Sequence, residues 1–246
     1  MYNVGFGDCF CLRDRKKSLL VDFGTNNSRI EGRPRREIFD VIISDLSTIK
    51  SKNLLLTHFH MDHLSGLLYM MKKKDISVDF GKIYLPDVFS KKEMSRTLVL
   101  LLLADLLKES GLPSRQVSLF ALVDALLENK QNVELLSRGK LFENKYQALW
   151  PDTDVIRKET DEVYNRICED GKFKEVMDVL LEFAEKLRLI VWSMTAEGNK
   201  PAETVEKETD LTASELTEQP EVRQKIIRAY VYAVSYTHLT LPTNSR

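Results

Sequence analysis

The sequence predicts an α/β fold. Three observations carry that prediction. The first ninety residues hold several apolar runs of strand length. A segment with apolar residues at helical spacing lies between two of them. Glycine or proline marks the point where most of the runs stop.

The elements follow in order. Residues 2–4 and 9–12 have strand character and are separated by the turn Gly5-Phe6-Gly7-Asp8. Residues 18–23 form a second apolar run that closes in Asp22-Phe23-Gly24. Over 36–49, Ile38, Val41, Ile42, Leu46 and Ile49 recur at helical spacing. Residues 53–56 read as a buried strand that leads into a histidine-rich loop. The spacing then predicts a helix over 64–73, whose cationic last turn suits the helix dipole. A short strand over 82–85 is stopped by Pro86.

The middle of the chain changes character. Residues 95–108 and 115–127 are predicted helices, broken by Gly111-Leu112-Pro113. Residues 144–150 read as a return to strand, ended by Pro151. Residues 162–194 carry a sustained apolar stripe at three-and-four spacing, the mark of a core face. Residues 195–220 are polar and rich in Glu and Thr, hence loop or linker, and 221–233 read as one more helix. The words from Ser235 to Thr243 are similar to translated sequencing-adapter read-through, so 234–246 is expected to be non-native tail. The expected organisation is an α/β unit over 1–155 with a helical insertion at about 91–140, then helical insertion and polar linker over 156–233.

Composition narrows the function classes. The chain of 246 residues is 43% hydrophobic and 30% charged, the balance of a globular protein. Its net charge of −1 gives no global field toward nucleic acid or anionic membrane. Short basic runs such as Lys72-Lys73-Lys74 lack the interleaved aromatics of a nucleic-acid track and read as solvated surface. The most apolar run, 98–104, is too short to span a bilayer, so no membrane partner is expected. Cys9, Cys11 and Cys168 make no disulfide framework and fit a reducing, cytoplasmic location. Cys9 and Cys11 share one face of a strand, which suits small buried apolar residues better than metal ligands.

The chemistry is concentrated in one loop. Three of the four histidines, His58, His60 and His63, fall within six positions together with Asp62, directly after the 53–56 strand. At an extended strand end, His58 and His60 point to the same side and can share one ion. The following turn presents Asp62 and His63 to a second ion. Imidazole and carboxylate suit Zn2+, with Mn2+ or Fe2+ as other occupants. Two adjacent divalent ions can activate a water and neutralise charge on a leaving oxygen. Asp62 is then placed to ligate one ion and to orient the nucleophile as the catalytic carboxylate.

At these residues the chain resembles the metallo-β-lactamase superfamily, whose signature is His-any-His-any-Asp-His after a strand, often preceded by Thr; here that is Thr57 to His63. The stretch Val4-Gly5-Phe6-Gly7-Asp8-Cys9-Phe10 is similar to the family's opening strand turn. Leu19-Leu20-Val21-Asp22-Phe23-Gly24 is similar to its first motif. Leu149-Trp150-Pro151 is similar to a strand end in the subgroup related to competence-type DNA-uptake hydrolases. The resemblance implies a four-layer αβ/βα sandwich, of which this chain supplies the first half with helical insertions. It implies that Asp22 and Thr57 support the metal loop from behind, and that a complete site holds two Zn2+. His60 argues against the iron redox branch of the fold, which commonly has Glu at that position, and His63 favours a full two-metal site. Ser65-Gly66 stands where Gly-Gly is more usual, a departure that could alter the turn into the following helix.

The family completes its site with later ligands, whereas after His63 the only histidine is His238. The expectation is therefore a fragment of a metal-dependent hydrolase, weakly active or inactive as it stands, whose missing ligands lie further downstream. The implied substrates are phosphoesters, or other esters or amides, including small molecules; nucleic acid is not indicated by charge. The competing expectation is a non-catalytic interaction protein with a partial metal site and a partner-binding lobe formed by helices over 95–130 and 160–195.

Overall fold

A computed structural model describes residues 1–14, 17–73, 79–108, 118–169 and 171–196. The helix expected at 221–233, nearly all of the 195–220 stretch, the 234–246 tail and the Gly111-Leu112-Pro113 break lie outside the described residues. In chain order the elements are β1 (Phe10–Arg13), β2 (Ser18–Val21), β3 (Arg29–Ile30), β4 (Arg33–Pro34), α1 (Arg35–Ser47), β5 (Lys52–Leu55), α2 (Met61–Met71) and β6 (Ile83–Pro86). A short 3-10 turn at Lys92–Met94 then leads into α3 (Ser95–Lys108) and α4 (Ser118–Glu128). After these come β7 (Val133–Leu136), β8 (Leu141–Phe142), β9 (Tyr146–Gln147), α5 (Thr153–Cys168) and α6 (Gly171–Ser193).

The predicted α/β class holds, as a mixed sheet of order β1-β2-β5-β6-β7. The β1–β2 pair is antiparallel, and β2, β5, β6 and β7 run parallel. Strands apolar on both faces, such as Ser18-Leu19-Leu20-Val21, belong in a sheet covered on both sides. On one face Leu20, Leu54, Ile83, Leu85, Val133 and Leu135 are buried in a cluster that also takes in Phe39, Leu64, Leu98, Leu122, Leu180 and Leu187 of the helices. The helices beyond residue 95 therefore share one core with the sheet.

The other face has a short cover. Leu19, Tyr84 and Leu136 pack under Phe142 and Ala148 of the β8–β9 region, with Val21, Leu55 and Tyr146 at the rim. Glu143, in the turn between β8 and β9, pins the cover down. Its carboxylate accepts from the Tyr84 hydroxyl at 2.7 Å and from the Asn53 side-chain amide. Burial, reinforced by that hydrogen bond, pushes the Tyr84 phenol well above its ordinary range.

Several expectations need correction. Residues 2–4 are not a strand; the Tyr2 amide makes one bond to the Cys9 carbonyl and no ladder follows. β7 was expected to be part of a helical insertion, yet it completes the sheet. Its four residues Val-Glu-Leu-Leu sit between polar segments and are too few to show a period. The 144–150 strand is only the small β8–β9 hairpin and its exit. The helix read over 162–194 is two helices, and the first starts at Thr153 because Asp152 caps it, accepting from the Asp154 and Val155 amides at 3.2 Å. On α1 the buried side is Ile38, Phe39, Ile42, Ile43 and Leu46, while Val41 faces out. Among the described residues no helix is long and apolar enough to cross a membrane.

The contrast on α1 makes a test. Phe39 is 1% exposed and Val41 60%. In denaturant titrations Phe39→Ala should lower the unfolding free energy by about 3–5 kcal/mol, whereas Val41→Ala should stay within about 0.5 kcal/mol of the parent. Equal effects would contradict the packing.

Candidate metal centre

The parallel strands β2, β5 and β6 end together, and the histidine loop leaves from the end of β5. The carboxyl edge of such a sheet is where side chains from neighbouring strands converge on open space. Asp22 follows β2, and Thr57 and His58 follow β5 after Leu56. The Asp22 amide donates to the Leu55 carbonyl at 2.8 Å, which locks the two strand ends together.

Asp22 has a left-handed φ of 54°, uncommon for a residue with a side chain though tolerated by Asp. Its buried carboxylate bonds to three groups. Oδ1 accepts from the Thr57 amide at 2.8 Å, and Oδ2 accepts from the Thr57 hydroxyl at 2.7 Å. His63 Nδ1 lies 2.9 Å from the same Oδ2. An ionised carboxylate only accepts, so His63 Nδ1 carries the proton and its Nε2 keeps a lone pair. Thr57 has given its one proton to Asp22, so at 3.0 Å its oxygen accepts from His58 Nδ1. His58 Nε2 is thereby also left free. One carboxylate sets both rings, directly and through a hydroxyl.

The freed atoms converge. Donor atoms of His58, Asp62 and His63 all lie within 4.8 Å of one another. His63 Nε2 and Asp62 Oδ2 are 3.7 Å apart. Two ligands at zinc distances and tetrahedral angles stand about 3.4 Å apart, so this pair suits a shared ion with a small adjustment. The His58 and His63 ring centroids are 3.7 Å apart. Burial, with the neighbouring His63 and His60 imidazoles, holds the His58 pKa below its ordinary 6.5 and keeps it in the neutral, ligating form. The donor set therefore fits a divalent metal.

His60 is exposed and stands edge-on to His58 at 4.9 Å, outside the two metal-sized groups found among the described residues. Between the two histidines, Phe59 is buried against Phe89, with ring centroids 5.8 Å apart, and anchors the loop. The helix after the loop starts earlier than the spacing suggested. His60 is the N-cap of α2, and its carbonyl accepts from the His63 and Leu64 amides. Asp62 and His63 thus belong to the first helical turn, which fixes their directions more firmly than a loop would.

Close backbone approach holds this arrangement from the N-terminal side. A Cβ on Gly7 would lie 2.2 Å from the Gly24 carbonyl oxygen and 2.7 Å from that of Asp62. Gly24 is equally tight against Asp62 and Leu64. The Phe23 amide donates to the His63 carbonyl at 2.7 Å. Ser65, the departure from Gly-Gly, has a defined place: its hydroxyl donates to the Thr25 carbonyl and accepts from the Thr25 amide. Gly66 has no such latitude, because a Cβ there would meet the Phe23 ring at 2.6 Å.

The sequence reading passed over Asp8 as part of a turn. Its Oδ2 lies 3.6 Å from His63 Nδ1, and Asp8, Asp22 and His63 form the second metal-sized group. That group suits an ion poorly, because His63 Nδ1 and both Asp22 oxygens are already engaged. Asp8 instead adds negative charge behind His63. The signal that could have found it was its place beside two glycines in a turn followed by a buried strand. Cys9 is fully buried and belongs to the core, and burial raises its thiol pKa strongly, so it reads as packing and not as a ligand.

The family model of the metallo-beta-lactamase superfamily matches residues 2–87. Over residues 2–87 the chain is thus similar to the metallo-β-lactamase superfamily. This metallo-β-lactamase segment runs from the opening turn through β6 and contains every donor described above. A stretch of 77 residues is 32% identical to Endoribonuclease YSH1 of Mycosarcoma maydis. The match takes in 31% of this chain and 8% of that protein, so the chain spans a small part of its relative's length. No solved structure matches the chain. The superfamily is one of metal-dependent hydrolases, and helices α3 to α6 lie beyond its matched span.

The lowered His58 pKa has a measurable sign. In the metal-free chain the His58 ring signals should titrate below pH 6.5 in NMR. The unfolded chain then takes up this proton first, so stability falls as pH drops below 6.5. A His58 midpoint at or above 6.5 would contradict the geometry.

Proposed function

We propose that this protein is a metal-dependent hydrolase acting on phosphoester bonds, with Zn2+ the ion that suits it best. His58, His60, Asp62 and His63 are its metal donors, and Asp22 and Thr57 are the residues that orient them. The observation that supports this reading is the hydrogen bonding around Asp22, which leaves His63 Nε2 free 3.7 Å from the Asp62 carboxylate and engages His58 through Nδ1, with a donor atom of each of the three residues within 4.8 Å of the others. A group that served only packing would not need both rings in one tautomer. The choice of phosphoester rests on the endoribonuclease relative.

A divalent ion held there supplies a Lewis acid that lowers the pKa of water and offsets charge on the leaving oxygen. The protein's own part is positional. Asp22 holds the His63 ring directly and the His58 ring through Thr57, so neither imidazole has to reorient when an ion is bound. The Asp62 side chain is 30% exposed, more open than His63. It can therefore face both the ion and an attacking water, which makes it the catalytic carboxylate of this reading. His60, exposed beside His58, is available to a second ion only with further ligands, and the described residues group no more than three donors together. The described residues then represent one half of a two-ion site.

Metal analysis tests the reading without relying on turnover. The purified chain loaded with Zn2+ should retain about one ion per chain. His58→Ala and Asp62→Ala should each lower the affinity by about tenfold or more, while Asp161→Ala, remote on α5, should not. Unchanged Zn2+ binding in His58→Ala rejects the loop as the metal site. Tight binding of two ions by the parent chain rejects the half-site assignment.

A further inference from the structure

Phe6, two residues before Asp8, is an aromatic that is 82% exposed. An exposed phenyl ring gains nothing from the core, and a mobile loop would let it fold back onto apolar surface. Phe6 is denied that freedom. Its amide donates to Asn27 Oδ1 at 3.0 Å, and its carbonyl accepts from the Asn26 amide at 2.8 Å and the Thr25 hydroxyl at 3.2 Å. On one side Gly5 has a left-handed φ of 71°, and on the other Gly7 is pressed against the Gly24 and Asp62 carbonyls. The backbone of Phe6 is therefore fixed on both flanks and its ring is held out in solvent.

Its position follows from the chain. Gly7 touches the backbone of Asp62, and Asp8 reaches to within 3.6 Å of His63. Consecutive Cα atoms are about 3.8 Å apart, which puts the Phe6 Cα about that far from the Cα of Gly7. A solvent-exposed aromatic on a fixed backbone, one residue from the glycine that touches Asp62, is available to a molecule bound at the metal donors.

We propose that Phe6 is a substrate-positioning platform on which an unpaired base of a nucleic-acid strand stacks, while the adjoining phosphodiester lies at His58, Asp62 and His63. The proposal rests on the phosphoester reading above and extends it to the substrate class. A chain of net charge −1 offers little general attraction for phosphates, so the hold on a single strand must come from local contacts. Base stacking on an aromatic side chain tolerates any sequence, because every base presents a π-face.

Binding experiments separate the two ideas. Fluorescence anisotropy would follow the Zn2+-loaded full chain with a short labelled oligoadenylate and with its abasic counterpart. The parent should bind the base-bearing strand roughly five- to hundredfold more tightly than the abasic one. Phe6→Ala should remove that preference, Phe6→Trp should retain it, and both should hold Zn2+ as the parent does. Phe6→Ala keeping the preference, or a parent with no preference or no binding to either strand, overturns the platform. The phosphoester reading is checked separately by the abasic strand, whose binding should weaken when Zn2+ is removed with EDTA. If the base preference survives while abasic binding ignores Zn2+, the phosphoester assignment and the placement of the strand at the metal donors fall, and only base stacking on Phe6 stands.

Discussion

The Asp22 carboxylate is the interaction on which the rest of the site depends. It sits where β2 ends, in a left-handed backbone conformation, and bonds to groups from the end of β5 and the start of α2. A buried carboxylate is unfavourable unless its oxygens are matched by donors. Here the donors are the Thr57 amide, the Thr57 hydroxyl and the His63 ring. The same bonds that make the buried charge tolerable also decide which ring nitrogens face outward. Stability and ligand geometry share one set of atoms.

The remainder of the fold keeps those atoms in place. Parallel pairing of β2, β5 and β6 brings Asp22 and Thr57 to one edge. Phe23 turns inward from that edge onto Phe39 of α1, with ring centroids 5.2 Å apart. Phe59 does the same for the histidine loop through Phe89. Each polar residue of the site thus has an apolar neighbour in sequence that is driven into the core, a strong and non-directional anchor. The helices beyond residue 95 enlarge that core on the same face of the sheet.

Much of this was legible in the sequence because local pattern and tertiary role agree. The 53–56 run before a dense histidine cluster has one sensible reading, and Asp22-Phe23-Gly24 closes a run of strand length. Other features depend on partners remote in sequence and leave no local trace. β7 has four residues and no period, so its place at the sheet edge depends on pairing with β6. The start of the helix at 153 is hidden in the sequence because its cap, Asp152, follows a proline and resembles loop. Asp8 looks like a turn former until Gly7 is seen pressed on Asp62. Ser65 looks like a defect in a glycine pair until its hydroxyl is seen on Thr25. The cap at Asp152 apart, the deciding contact in each case spans tens of residues, which no short window of sequence contains.

The turn at Gly5 to Asp8 has a consequence for how such a protein can change. Its backbone is what the glycine contacts hold, whereas the Phe6 ring takes no part in that packing. The main chain of the turn is thus committed to the ion-handling machinery, and the side chain at position 6 is not. Selection could exchange that side chain, and with it the choice of what is gripped, without disturbing how the reactive groups are set. Recognition and reactivity occupy the same few residues and yet are inherited as separable traits.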